Sequence, residues 1–203
     1  MRTYSRGFNL LELMVAIAIA GILLGIGIPS FTEFVRNSRM TSTANELLAD
    51  ITLARSEAIK RRSPVMLCPS ADPLAATPAC SNGTAYGGWI TFVDFDPADP
   101  TAASNGDGTF DGGGEVLLRR HVAPPAGVTG TANANYVSFG GDGFQRLVGG
   151  GIPNPYVVRL CDSRGNTQSG GGDNSAARAV SVERTGRAEV TRSITRITTL
   201  GGC

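Results

Sequence analysis

The sequence predicts an α+β chain, one long N-terminal helix followed by a mostly antiparallel sheet domain. Three observations carry that expectation. Residues 8–28 form an apolar run interrupted by one carboxylate, Glu12. Beyond Pro29 a helical apolar period continues to about Arg62. After Pro64 the period drops to two, with glycine-rich and proline-rich links between the apolar stretches.

The first element is long enough for a membrane. Phe8 to Ile28 is twenty-one residues, which as a helix cover roughly 31 Å, about the hydrocarbon thickness of a bilayer. Arg2 and Arg6 precede it. Glu12 lies near its start, and a charge costs about 2.5–3.5 kcal/mol at the bilayer centre and less near an interface. That carboxylate therefore calls for a partner. Pro29 lacks an amide proton, and its ring clashes with the carbonyl of Gly25, so a kink is expected there.

Downstream, Met40, Ala44, Leu47, Leu48, Ile51, Ala54 and Ala58 recur at steps of three and four. They form one apolar stripe, with Arg36, Arg39, Asn45, Glu46, Asp50 and Lys60 placed elsewhere around the helix. A stripe of that kind packs against a sheet. The expected strands are Val65–Cys68, Trp89–Phe95, Val116–Val122, Tyr136–Phe139, Tyr156–Cys161, Ala179–Glu183 and Arg187–Thr191. Asn166–Ala177, rich in glycine, serine and asparagine, reads as the mobile loop. The expected organisation is thus 1–7, 8–28 in lipid, an amphipathic half 29–62, and a β-rich head 63–203.

The formal charge of +1 excludes a strong general attraction to nucleic acid, but the charge is uneven along the chain. Residues 63–155 hold three arginines against eight acids, and residues 156–203 seven arginines against four. The four cysteines, Cys68, Cys80, Cys161 and Cys203, all follow the apolar segment, which suggests disulfides in an oxidising compartment. Of three possible pairings, Cys68–Cys80 and Cys161–Cys203 are preferred. The first closes a Pro/Ala loop and the second ties down the C-terminus.

Candidate chemistry is sparse. No CxxC pair or His/Cys cluster exists to hold zinc, so no metal or cofactor is expected. Asp94-Phe-Asp96 to Asp99 and Asn105-Gly-Asp107-Gly-Thr-Phe-Asp111 have some calcium-loop character. Aligning Gly108 with the loop glycine leaves Ala103 and Gly114 at the first and last ligand positions, so a hairpin connection with solvated acids is the better reading. His121, the single histidine, sits in a strand-like run and reads as structural. Gly140-Gly-Asp-Gly143 leads into no helix and reads as a turn. No catalytic constellation emerges, and an enzyme is not expected.

Gly7-Phe8-Asn-Leu-Leu-Glu12-Leu13, with the apolar run behind it, resembles the class III signal of type IV prepilins and type II secretion pseudopilins. The resemblance implies cleavage after Gly7 by prepilin peptidase, removing 1–7 as a leader, and N-methylation of Phe8. It further implies that Glu12 pairs with the terminal amine of a neighbouring subunit. Ala54-Arg-Ser-Glu-Ala-Ile-Lys60, Gly88-Trp-Ile-Thr-Phe-Val-Asp94, Leu160-Cys-Asp162 and Thr185-Gly-Arg187 extend the resemblance to the GspH/FimT group of minor pilins. That group implies a type IV pilin fold, with the sheet head packed on the exposed half of the helix. It implies a subunit anchored in the bacterial inner membrane with a periplasmic head, later carried into a pilus or pseudopilus. Its partners would be other minor and major pilins and the inner-membrane assembly platform. The alternative within the same architecture is a type II secretion minor pseudopilin.

A further alternative is DNA uptake. Related FimT proteins carry a Gly-Arg-x-Arg motif on the last hairpin. Here it reads Gly186-Arg187-Ala188-Glu189, an acid in place of the second arginine. In a strand, alternation puts Arg187 and Glu189 on one face and Arg192 on the other. Glu189 is then expected to weaken phosphate attraction at Arg187, leaving Arg184, Arg187, Arg192 and Arg196 as a weak, salt-sensitive patch.

Overall fold

The computed structural model describes residues 9–81, 85–103, 105–151 and 153–203. Helix α1 runs Leu10–Arg61. The strands are β1 (Val65–Pro69), β2 (Ala85–Tyr86), β3 (Trp89–Val93), β4 (Val116–His121), β5 (Thr129–Ala132), β6 (Val137–Phe139), β7 (Gln145–Arg146), β8 (Tyr156–Cys161), β9 (Asn174–Val182) and β10 (Ala188–Ser193). A short helix α2, Ile194–Thr199, follows. The chain divides into two compact units between Ser38 and Arg39.

In the first unit the large apolar side chains from Leu10 to Phe34 are exposed. The helix is long and apolar enough to cross a membrane. It stays helical through Pro29, whose carbonyl accepts the Thr32 hydroxyl at 2.8 Å.

In the second unit side-chain burial on α1 begins at Met40 and recurs at Ala44, Leu47, Ile51, Ala54 and Ala58, all with no exposed area. Asp50 is a correction. Placed among the polar positions by sequence, it is fully buried, because its carboxylate has two donors waiting in the sheet. The helix stops where Arg62 takes a left-handed φ of 55° and Pro64 follows.

Two antiparallel sheets flank this stripe, in the orders β4-β3-β1-β6-β7 and β10-β9-β8-β5-β2. Strand β1 is buried on both faces, which hides the alternation expected of a half-exposed strand. Val65 and Leu67 join the main core with α1, while Met66 and Cys68 face a second cluster with Ile90 and Phe92. Strand β9 behaves likewise. Val180 and Val182 face the main core, and Ala177 and Ala179 pack with Ile197 of α2.

The expected loop at 166–177 is corrected in its second part: Asn174–Ala177 opens β9, and Ser175, Ala176 and Ala177 are fully buried. Small residues are what fit there, beneath α2. Strands β2, β5 and β7 were not anticipated. In β5, Gly130 is required by close approach, since a Cβ there would lie 2.7 Å from the Tyr86 Cβ.

Disulfides join Cys68 to Cys80 and Cys161 to Cys203. The second closes the chain just after α2, whose N-cap is Ser193, accepting the Arg196 amide at 3.1 Å.

The acidic stretch between β3 and β4 is not uniformly solvated, which corrects the hairpin reading at two positions. Asp94 is fully buried and accepts the Gly106 and Gly108 amides at 2.9 and 3.0 Å. Glu115 is buried beside it and accepts the Asp111 amide at 2.8 Å. Burial, then the Asp94 charge, pushes the Glu115 carboxyl up to about 7. Among the described residues no group of three His, Cys, Asp or Glu side chains could hold a metal ion.

Candidate functional site

Two surfaces carry the sequence candidates. The first is the start of α1. Gly7 and Phe8 lie outside the described residues. Glu12 stands in the first helical turn, exposed among exposed leucines. The unpaired amides of a helix N-terminus favour a carboxylate there, so the position suits an acid even before a partner arrives.

The second surface is the β9–β10 hairpin and α2. The four arginines there do not form one patch. Arg184 and Arg187 lie at the hairpin turn, before β10 begins. Arg192 sits at the far end of the strand, where the register with β9 shifts between Thr191 and Ser193. Arg196 is on α2. Arg187 and Arg192 are five positions apart along extended chain, about 17 Å.

Their partners also differ. The Arg184 Nε donates to the Pro153 carbonyl at 2.8 Å, and Arg192 donates to the Ser169 carbonyl at 3.3 Å. Arg196 forms an ion pair with Glu189. Glu189 therefore pairs with Arg196 rather than with Arg187 among the described residues. Arg187 is exposed, with no side-chain hydrogen bond among the described residues.

The sequence gives no sign that the Gly140–Gly143 turn, Arg55 and the hairpin turn come together. Arg55 on α1 donates to the Gly143 carbonyl at 3.0 Å and the Thr185 carbonyl at 3.1 Å, tying the helix to both the β6–β7 and β9–β10 turns. The amide of Gln145 donates to the Arg184 carbonyl at 3.0 Å, joining the edge of one sheet to the hairpin turn of the other. Arg146 pairs with Asp142 at the same place. In the sequence Arg55 stands out only as part of the Ala54–Lys60 motif, because its partners lie far away along the chain.

His121, read as structural, stacks on Trp89 with ring centroids 3.8 Å apart and planes 5° from parallel. Its Nε2 lies 3.2 Å from the Glu46 carboxylate. No nucleophile is placed beside it among the described residues, and the arrangement joins β4 to α1.

A family model described as "Type II transport protein GspH" matches residues 43–186, and one described as "Prokaryotic N-terminal methylation motif" matches residues 2–28. The type IV major alpha-pilin of Moraxella bovis is 36% identical over 61 residues, covering 30% of this chain and 38% of that protein. The type IV major pilin protein PilA of Myxococcus xanthus is 42% identical over 52 residues, covering 26% of this chain and 24% of that protein. The matches thus span well under half the length of these relatives. The type IV minor pilin FimU of Pseudomonas aeruginosa superposes with a TM-score of 0.49 at 20% identity, covering 79% of this chain and 98% of that one.

Proposed function

The chain belongs to the GspH family within the type IV pilin superfamily, a structural rather than enzymatic family, and from that premise we propose that it is a minor pilin that enters or primes a type IV pilus. Residues 1–7 are the leader, cut after Gly7 by prepilin peptidase, and Phe8 becomes the N-methylated terminus. Residues 8–28 hold the subunit in the inner membrane and later in the filament core. Residues 29–62 form the spine, which Pro29 kinks to fit, and 63–203 the periplasmic head. Other pilins and the assembly platform are its partners.

The observation that carries this reading is Glu12, an acid kept exposed in an otherwise apolar helix face. Left in lipid it costs free energy; paired with the Phe8 amine of the neighbouring subunit, it favours entry of each subunit beside the last. Intact-mass measurement of protein purified from its host is expected to give a chain starting at Phe8 with one added methyl. A chain starting at Met1, unmethylated, overturns the reading. Glu12→Ala is expected to be processed normally yet missing from sheared filaments. Gene deletion scored for piliation and secretion together separates pilus use from a type II secretion pseudopilus: lost pili with intact secretion supports the former.

A second reading, DNA capture through the hairpin arginines, is favoured by the Glu189–Arg196 pair, which leaves Arg187 exposed and unneutralised. Retention of duplex DNA at low salt, lost on Arg187→Ala, supports it. Retention unchanged by that substitution removes it.

A further inference from the structure

The loop between β3 and β4 is tied back by two side chains, one at each of its ends. Asp94 follows the last residue of β3, and Glu115 precedes the first of β4. The Asp94 carboxylate takes the Gly106 and Gly108 amides, one on each oxygen, at 2.9 and 3.0 Å. One Glu115 oxygen takes the Asp111 amide at 2.8 Å. Segment 105–111 is thus held by three amide bonds to two carboxyl groups. Its Phe110 ring meets Phe92 edge-on, with centroids 5.4 Å apart.

The second Glu115 oxygen identifies what keeps the pair together. Glu115 is 8% exposed, and its Oε1 is buried and meets no donor among the described residues. The two carboxyl groups nevertheless share a hydrogen bond. Ionised carboxylates only accept, so a bond between two of them needs a proton on one. Both Asp94 oxygens already face amide donors, which suits the ionised form. A proton on Glu115 Oε1, donated to Asp94, satisfies the remaining oxygen. The charges that act on the pair from the loop are acids, Asp107 on Asp94 and Asp111 on Glu115. Arg146 of β7 lines a small cavity with Gly106 but is taken by Asp142, and the hydroxyl of Tyr136, whose ring lies beside Gly108, accepts the Val148 amide. Without the proton, two like charges stand buried side by side and repel.

We propose that Asp94 and Glu115 form a proton-operated latch: the shared proton holds segment 105–111 shut, and its loss frees that segment while the two sheets stay folded. The amides released are those of Gly106, Gly108 and Asp111, all within the segment. Freed, it takes Phe110 off Phe92 and opens the second cluster, with Met66 and Ile90, to solvent. Phe110 belongs to that cluster and not to the main core on α1, so its departure leaves the main core filled.

Deuterium exchange of the full-length protein in detergent micelles, read by mass spectrometry and corrected for the intrinsic rate at each pH, tests the latch. Burial pushes the Glu115 carboxyl up to about 7 when the segment is shut, and opening returns it toward the ordinary 4.5. The proton therefore favours closure fully below that window, and the gain is lost as pH rises through it. Protection of 105–111 is expected to fall about thirtyfold between pH 5 and pH 7 and to level off above pH 8. Low urea is expected to leave this exchange unchanged, since a local opening exposes little surface, while exchange in β9 accelerates with it. Glu115→Gln, whose amide donates to Asp94 without titrating, is expected to keep 105–111 protected across the range. Asp94→Asn, which loses the acceptor for one glycine amide, is expected to leave the segment open at every pH. Flat protection in the wild-type series, which needs no variant to fold, overturns the latch, as does a fall that Glu115→Gln retains. Exchange of 105–111 that follows urea as steeply as β9 also overturns it, because the segment then opens only with the whole head.

Discussion

The buried carboxylate of Asp50 on α1 accepts the indole N–H of Trp89 on β3 at 2.7 Å. Its other oxygen takes the Arg119 guanidinium from β4, also at 2.7 Å. Alanines and leucines along the stripe would tolerate several helix positions against the sheet. A directional pair of donors tolerates one, so the carboxylate sets where the helix stops sliding.

Removing that acceptor should be costly. Asp50→Ala forfeits two hydrogen bonds to a charged group and leaves the Trp89 indole N–H buried with no acceptor, a loss of about 3 kcal/mol. Asp50→Asn keeps an acceptor for the indole and should cost about 1 kcal/mol. Urea unfolding followed by circular dichroism measures both. Equal costs for the two variants would refute the hydrogen-bond account.

The Glu115 carboxyl makes stability fall as pH rises. Its pKa in the fold is about 7 against an ordinary 4.5, so between those values the folded chain holds a proton that the unfolded chain has released. More protons on the folded state means a negative slope of stability with pH, complete once pH passes about 7. Asp94, raised by its own burial, adds in the same direction. Glu115→Gln should flatten unfolding midpoints across this window and leave the variant more stable than wild type at pH 8. A wild-type midpoint that rises between pH 5 and pH 8 rules this out.

The long-range pattern of the fold was legible where one physical rule dominated. A helix burying one stripe leaves a 3.6-residue period, so Met40, Ala44, Leu47, Ile51, Ala54 and Ala58 are legible as its buried face. Seven strands are likewise legible, β8 to the residue and the others within two residues at each end, except for the start of β9. Asp50 was misplaced because its donors come from β3 and β4, and a carboxylate in isolation reads as solvated. The start of β9 reads as loop because Ser175, Ala176 and Ala177 are small; only α2 above them explains why small residues belong in a strand there. The junction of the two turns is not legible in sequence, because Gln145 and Arg184 stand thirty-nine residues apart and meet through one backbone bond, from the Gln145 amide to the Arg184 carbonyl.

The two disulfides should open in a definite order. Cys68 is fully buried in the second core cluster, whereas Cys203 is exposed at the end of the chain. Thiol–disulfide exchange needs the attacking thiolate to reach a sulfur, so access decides the rate. Mild reductant followed by alkylation should label Cys161 and Cys203 first, with Cys68 and Cys80 protected until the head unfolds. Reducing Cys161–Cys203 releases a loop of sequence separation 42 and should cost about 4 kcal/mol by the chain-entropy model. Simultaneous labelling of all four cysteines in the folded protein would argue against it.

Gly186 should be irreplaceable for a reason visible only in three dimensions. Its φ is 76°, and a Cβ there would lie 2.1 Å from the Gly143 carbonyl oxygen and 2.8 Å from the Arg55 Nε. Backbone closeness of this kind cannot be relieved by a side-chain rotation. Gly186→Ala must push the β9–β10 turn off the β6–β7 turn, breaking the Arg55 bonds to Gly143 and Thr185 as it does so. The expected loss is about 2–3 kcal/mol, combining left-handed strain with the broken contacts. Arg55→Ala alone should cost about 1–2 kcal/mol. Because the glycine variant already removes what Arg55 supplies, the double variant should cost clearly less than the two summed. Strict additivity in that cycle would mean that Arg55 and Gly186 act separately, and the junction between the turns would need another explanation.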